Sequence, residues 1–317
     1  MVNSSLIRVA ILGATGHIGK NVTKSLCEKN DYLIFAFARS QDKLSLFLSE
    51  NNMRNKVVVK EFNQFNNNTY DVVINCIGIV SSEEISQNPY NIFKVTEEFD
   101  NLVISYIQTS PNTKYINLSS GAIYGTDYSE SASLNKKLIL DINSLTIKDY
   151  YGISKLNMEA KHRSLADYNI VDLRIFSFFS RFIDRKSTFF LTDVLNCLEQ
   201  KKVLKTSSED MVRDYVHPED LINLIELCIQ KSSINYAYDV FSVKPVSKFE
   251  LLDYFIQNHE LKVEIKNIEK SVSITGLKSN YYTLNTSAID IGYSPQYDSL
   301  QSVSYGFNLM KMGKFHA

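Results

Sequence analysis

Short β-branched, apolar runs alternate with amphipathic stretches through the first half of the chain. Residues 6–12, 32–38, 56–60, 72–77, 114–118 and 170–176 predict strands, and residues 18–29, 42–51, 91–108 and 151–168 predict helices between them. Pro89 and Pro111 bracket the third of these helices, as a start and a stop signal. Regular alternation predicts βαβ units, and hence an α/β fold with a doubly wound parallel sheet and helices on both faces. The second half is less regular. Residues 187–200, 218–230 and 247–258 predict helices and 236–241 a strand, while the tail gives a short strand at 281–284 and helical pieces at 287–291 and 300–310. The expected division is a sheet domain over residues 1–174, joined by a returning strand and helix near 235–258. A smaller mixed α/β lobe is expected over residues 175–317, packed closely on the sheet.

Composition narrows the class. The 317 residues are 44% hydrophobic and 22% charged with a formal net charge of −1, so the chain has material for a large core and no broadly basic face. Nucleic acid and anionic membrane are therefore not expected partners. Cys27, Cys76, Cys197 and Cys228 lie far apart in apolar runs, which predicts reduced thiols and no metal site. No leader-like segment opens the sequence, and the longest apolar run, around residues 71–80, is too short to span a bilayer. A cytoplasmic protein is expected.

The first candidate chemistry is a glycine turn. Gly13, Ala14, Thr15, Gly16, His17, Ile18 and Gly19 follow the first strand and open the first helix. Glycine is needed where backbone turns tightly, approaches a pyrophosphate or packs helix on strand, and a helix start offers free N–H groups to phosphate. In that order, strand, turn and helix predict a Rossmann dinucleotide site. The second strand runs into Arg39 and Ser40 instead of an acidic residue. A carboxylate there would hold both ribose hydroxyls of NAD, whereas arginine pairs with a 2′-phosphate, so NADP(H) is favoured and NAD(H) remains open. Asn63 is placed to reach the adenine edge, and Cys76, Ile77 and Gly78 end the fourth strand where backbone passes close to the cofactor.

The second is a set of hydroxyls and an amine. Ser119 and Ser120 close the fifth strand, at the end where open α/β sheets place their chemistry. Tyr151 and Lys155 stand four apart on a predicted helix, so both project from one face. A free phenol titrates near ~10 and is a poor base at neutral pH, and a nearby ammonium is expected to lower that value. A serine hydroxyl would orient the reacting oxygen.

Together these segments resemble an extended short-chain dehydrogenase/reductase of the nucleotide-sugar epimerase, dehydratase and reductase group. The resemblance rests on GATGHIG at residues 13–19, SSGAIYG at 119–125, YYGISK at 150–155, LRIF at 173–176, RDYVHPEDL at 213–221 and IGYSPQYDSL at 291–300. It implies Tyr151 as general acid/base and cofactor contact, Lys155 as its partner on the nicotinamide ribose, and Ser120 as the catalytic serine with Ser119 as runner-up. It further implies Arg213 on the substrate diphosphate and Ser177 where epimerases carry a substrate-binding asparagine, with His217 a packing residue. Gly121 and Ala122 stand where dehydratases of the group carry an acid and a base, so sugar dehydration is not expected. The implied activity is NADPH-dependent reduction of a 4-keto sugar nucleotide for surface polysaccharide. The alternatives are an NAD-dependent nucleotide-sugar 4-epimerase or oxidase, or, further off, a non-catalytic dinucleotide sensor. A homodimer through residues 91–108 and 151–168 is also implied.

Overall fold

The computed structural model describes residues 6–79, 82–266 and 278–313. Its first half runs β1 (Ile7–Leu12), α1 (His17–Cys27), β2 (Tyr32–Phe37), α2 (Gln41–Glu50), β3 (Val57–Lys60), β4 (Val72–Asn75), α3 (Ser82–Gln87), α4 (Tyr90–Thr109), β5 (Lys114–Ser120), α5 (Ile147–Ser164) and β6 (Ile170–Ile175). The second half gives β7 (Ser177–Phe178), α6 (Phe190–Gln200), β8 (Val203–Ser207), β9 (Val212–Arg213), β10 (Tyr215–Val216), α7 (Pro218–Gln230) and β11 (Asn235–Val240). It ends with β12 (Val246–Ser247), α8 (Lys248–His259), β13 (Lys262–Lys266), β14 (Asn280–Tyr281) and α9 (Ser299–Gly313). No helix among the described residues is long and apolar enough to cross a membrane.

Seven strands form one sheet in the order β11-β6-β5-β4-β1-β2-β3, every neighbouring pair parallel. This is the Rossmann arrangement read from the sequence. Period-two alternation buries both faces: Val9 and Ile11 pack with α1, α2 and α7 on one side, and Ala10 and Leu12 pack with Val103, Tyr106 and Ile107 of α4 on the other. Strand order reverses between β1 and β4, which opens a crevice at their carboxyl ends.

The element boundaries differ from expectation where side chains compete for the backbone. The fourth strand stops at Asn75 because the Asn75 carboxamide accepts the N–H of Ile77 (3.0 Å) and turns the chain out of the ladder. Helix α5 begins four residues before Tyr151, since Thr146 and Asp149 cap it reciprocally. The smaller lobe has its own core, with Leu191, Val194, Leu251, Leu252, Phe255 and Phe307 at its centre. Two assignments change accordingly. α7, expected in the smaller lobe, packs Leu221, Leu224 and Ile225 on the large sheet, and α8, expected beside the returning strand, joins the lobe core instead. Only the strand of that returning pair, β11, enters the sheet.

Candidate active site

The glycine turn is shaped by close approach. Gly13 has φ +77°, and a Cβ there would meet the Cys76 backbone at 3.2 Å. At Gly19 a Cβ would lie 2.1 Å from the Gly13 carbonyl oxygen, so no side chain fits. Gly13 and Ala14 both donate to the Phe37 carbonyl (3.0 Å each), which pins the turn to the end of β2. Gly16 caps α1 without any side-chain bond. The first N–H groups of that helix therefore have no capping acceptor and suit a phosphate. These features fit a dinucleotide. Thr15 is half-buried at the turn, and Ile18 packs against the main core. His17 departs from the expected cofactor role at its side chain: Nε2 bonds Ser180 Oγ (2.9 Å), the ring meets Phe178 edge-on, and burial pushes its pKa down to about 4.

Around the crevice, Arg39 is exposed and forms no ion pair among the described residues. Ser40 is occupied as the cap of α2, its hydroxyl accepting the Lys43 N–H (3.3 Å). Asn63 sits exposed on a 3₁₀ turn and donates to Glu61 (3.3 Å). The Cys76 N–H donates to Leu12 (3.0 Å), and burial pushes its thiol up to about 12, so it is inert at neutral pH. Gly78 faces Lys155, whose Nζ would lie 3.7 Å from a Cβ added there.

Ser120, Tyr151 and Lys155 are brought together beside that crevice. Ser120 ends β5 and caps the 3₁₀ turn Gly121–Tyr124, accepting the Ala122 N–H at 3.2 Å. Burial raises the Tyr151 phenol above its ordinary value, and hydrogen bonding with Ser120 offsets part of the rise. Helix α5 can come this close because Gly152 lacks a Cβ, which would otherwise lie 2.3 Å from the Ala122 carbonyl oxygen. Lys155 is buried with Nζ donating to the Leu118 carbonyl (2.9 Å); desolvation brings its pKa down to about 8 against the pull of Asp172, Asp100 and Glu159. The expected lowering of the Tyr151 pKa by Lys155 is thus not what the structure gives, because burial dominates and the ammonium is turned to a carbonyl.

Ser119 is corrected. Strand alternation turns it away from Ser120, and it donates to Glu159 (2.6 Å), itself ion-paired to Arg174 (2.6 Å). It belongs to the scaffold under the site. Ser177 is half-buried in β7, paired with Tyr215 of β10. Arg213 ends β9 with Nη1 donating to the carbonyls of Val212 (2.8 Å) and Lys278 (2.5 Å). Two residues at the site carried no signal in the sequence. Tyr281 shares a hydrogen bond with Ser120 Oγ (3.1 Å), and Lys278 Nζ stands 3.9 Å from the Tyr281 ring centre. Contacts spanning 161 residues follow no spacing rule.

The architecture is shared with solved structures. A UDP-glucose-4-epimerase from Stenotrophomonas maltophila, with bound NAD and formylated UDP-arabinopyranose, has a TM-score of 0.81 at 14% identity, covering 98% of this chain and 100% of that one. A Thermotoga maritima UDP-glucose 4-epimerase with UDP-glucose gives 0.78 at 15%, covering 97% and 100%. A dTDP-glucose 4,6-dehydratase from Bacillus anthracis in complex with NAD gives 0.77 at 12%, covering 98% of each. The profile of the NAD dependent epimerase/dehydratase family matches residues 9–243, and the chain belongs to that family of short-chain dehydrogenase/reductase enzymes.

Proposed function

We propose that this protein reduces a 4-keto sugar nucleotide with NADPH, in the synthesis of a surface polysaccharide. The observation that carries the reading is the convergence of Ser120, Tyr151 and Lys155 beside Gly78, next to the glycine cradle. Gly13, Thr15, Gly16, Ile18 and Gly19 would hold the pyrophosphate, Arg39 a 2′-phosphate, and Lys155 the nicotinamide ribose. When bound, the nicotinamide supplies hydride to the carbonyl carbon. Tyr151 protonates the oxygen, and the burial that holds its phenol high keeps it in the acid form this direction needs. Ser120 donates to the same oxygen. Lys155, at about 8, stays mostly protonated near neutrality, so its ammonium is available to the nicotinamide ribose.

A second reading, a nucleotide-sugar 4-epimerase that retains NAD, is favoured by the 4-epimerases among the similar structures. Cofactor chemistry separates the two. In the reductase, Tyr151→Phe lowers kcat by about 10²–10⁴-fold while NADPH affinity persists, and Arg39→Ala weakens NADPH more than NADH. Protein purified with stoichiometric NAD would favour the epimerase, and cellular function unchanged by Tyr151→Phe would favour a non-catalytic dinucleotide sensor.

The homodimer belongs to the same reading. It would use the outer faces of α4 and α5, which lie side by side through Asn157–Glu97 (3.1 Å) and Lys161–Asn101 (3.0 Å). Light scattering is expected to give twice the 36.3 kDa chain mass, and a species of single-chain mass at micromolar concentration rejects the pairing. The cytoplasm, as its setting, accords with the free cysteines.

A further inference from the structure

Resting on the nucleotide-sugar reading, we infer that Lys278 makes this site select a sugar ring that carries a carboxylate, with the ammonium meeting that group at the reacting end of the pocket. Lys278 is 9% exposed, yet its Nζ has no ion-pair partner among the described residues. Its surroundings are the Tyr281 ring at 3.9 Å and the Tyr128 ring at 5.5 Å. Ring faces compensate a buried ammonium in part, but not as a carboxylate would.

The neighbouring cation makes the deficit larger. Arg213 also lacks a carboxylate among the described residues, and its guanidinium donates to the Lys278 backbone carbonyl. Desolvation first, then the Arg213 charge, bring the Lys278 amine down to about 7. A buried and a half-buried cation side by side, with no counter-ion among the described residues, destabilise the fold before anything binds, and bound anions relieve that cost. The diphosphate expected at Arg213 accounts for one of them. Lys278 lies on the side of Ser120 and Tyr151: it leans on the ring whose hydroxyl bonds Ser120, and it lines a small cavity together with Tyr151, Ala122, Lys148 and Asp149, the last already held by Thr146. A ring carboxylate on the substrate places its charge at that end, whereas a neutral hexose leaves the ammonium unpaired.

The test compares wild type with Lys278→Met and Lys278→Arg by calorimetric titration in saturating oxidised cofactor. The ligands are UDP, UDP-glucose and UDP-glucuronate, with GDP, GDP-mannose and GDP-mannuronate in parallel. In the wild type, one uronate is expected to bind at least tenfold tighter than its neutral partner. Lys278→Met removes that preference while changing the bare nucleoside diphosphate by less than threefold, and Lys278→Arg restores most of it. Lys278→Met is also expected to raise Tm, since it deletes a buried charge that has no ion pair among the described residues. A variant that weakens nucleoside diphosphate, neutral sugar and uronate alike would assign Lys278 to the diphosphate and overturn the inference, as would a large fall in Tm. Binding of nucleoside diphosphates without any preference for a uronate overturns the inference alone. Failure of every ligand to bind overturns the nucleotide-sugar reading with it.

Discussion

A hydroxyl flanked by two phenols has one proton to give, and Ser120 is in that position between Tyr151 and Tyr281. Substrate oxygen must therefore displace one of those contacts to be held. Its neighbour Ser119 has no such freedom, being buried on Glu159. The two adjacent serines consequently fail differently. Ser120→Ala is expected to lower kcat by roughly 10²-fold with little change in stability. Ser119→Ala leaves kcat within about threefold but costs about 1–2 kcal/mol in urea unfolding, because a buried carboxylate loses a donor. Equal kinetic losses in both variants would contradict this division. At this scale the sequence was partly legible. Ser120, Tyr151 and Lys155 could be singled out as candidates because strand ends and helical spacing are local rules. Tyr281 and Lys278 could not, since only the folded tail carries them to β5. The protonation of Tyr151 was misjudged for a related reason: burial is a property of the surroundings, and the nearby lysine was the only influence visible in the chain.

Helix α5 shows how an element is set by groups that the hydrophobic pattern does not reveal. Gly152 lets it lie against the 3₁₀ turn after β5, and a buried polar network fixes its far end. His162, fully buried, places Nε2 at 2.7 Å from Asp100 and Nδ1 at 2.9 Å from Asp172, which ties α5 to α4 and β6. Burial alone would lower its pKa, but the hydrogen bonds and charges of the two aspartates outweigh burial and hold it at about 9. Because the folded value lies above the unfolded 6.5, its stabilisation is complete below pH 6.5 and is lost as pH rises through 9. The term is on the order of 3 kcal/mol. The difference in Tm between wild type and His162→Gln is expected to be widest at pH 6 and to shrink steadily toward pH 9.5 or so. A difference independent of pH would mean that the ring is neutral. The long strands and helices were legible because their periodicity runs over several residues. Two-residue strands such as β7, β9 and β10 have no period to read, and the β8–β13 pair is largely exposed.

For the molecule as a whole, order along the chain foretold the sheet but not the partition of helices between its two cores. α7 and α8 are both amphipathic, and nothing in either pattern states which apolar surface it will meet. That choice is made by topology, once β11 has joined the sheet edge beside β6. The seam between the cores deserves a kinetic reading. Ser180, 2% exposed, binds His17 Nε2 at 2.9 Å and Asn21 Nδ2 at 2.8 Å. Helix α1, which under the proposed function receives the cofactor phosphates, is thus clasped directly by the segment leading into the smaller lobe. Loading one ligand and receiving the other then cease to be independent events, and turnover should be sequential, with the dinucleotide first on and last off. Product-inhibition patterns report this: oxidised cofactor competes only with reduced cofactor, and random-order patterns would show the clasp to be mechanically silent.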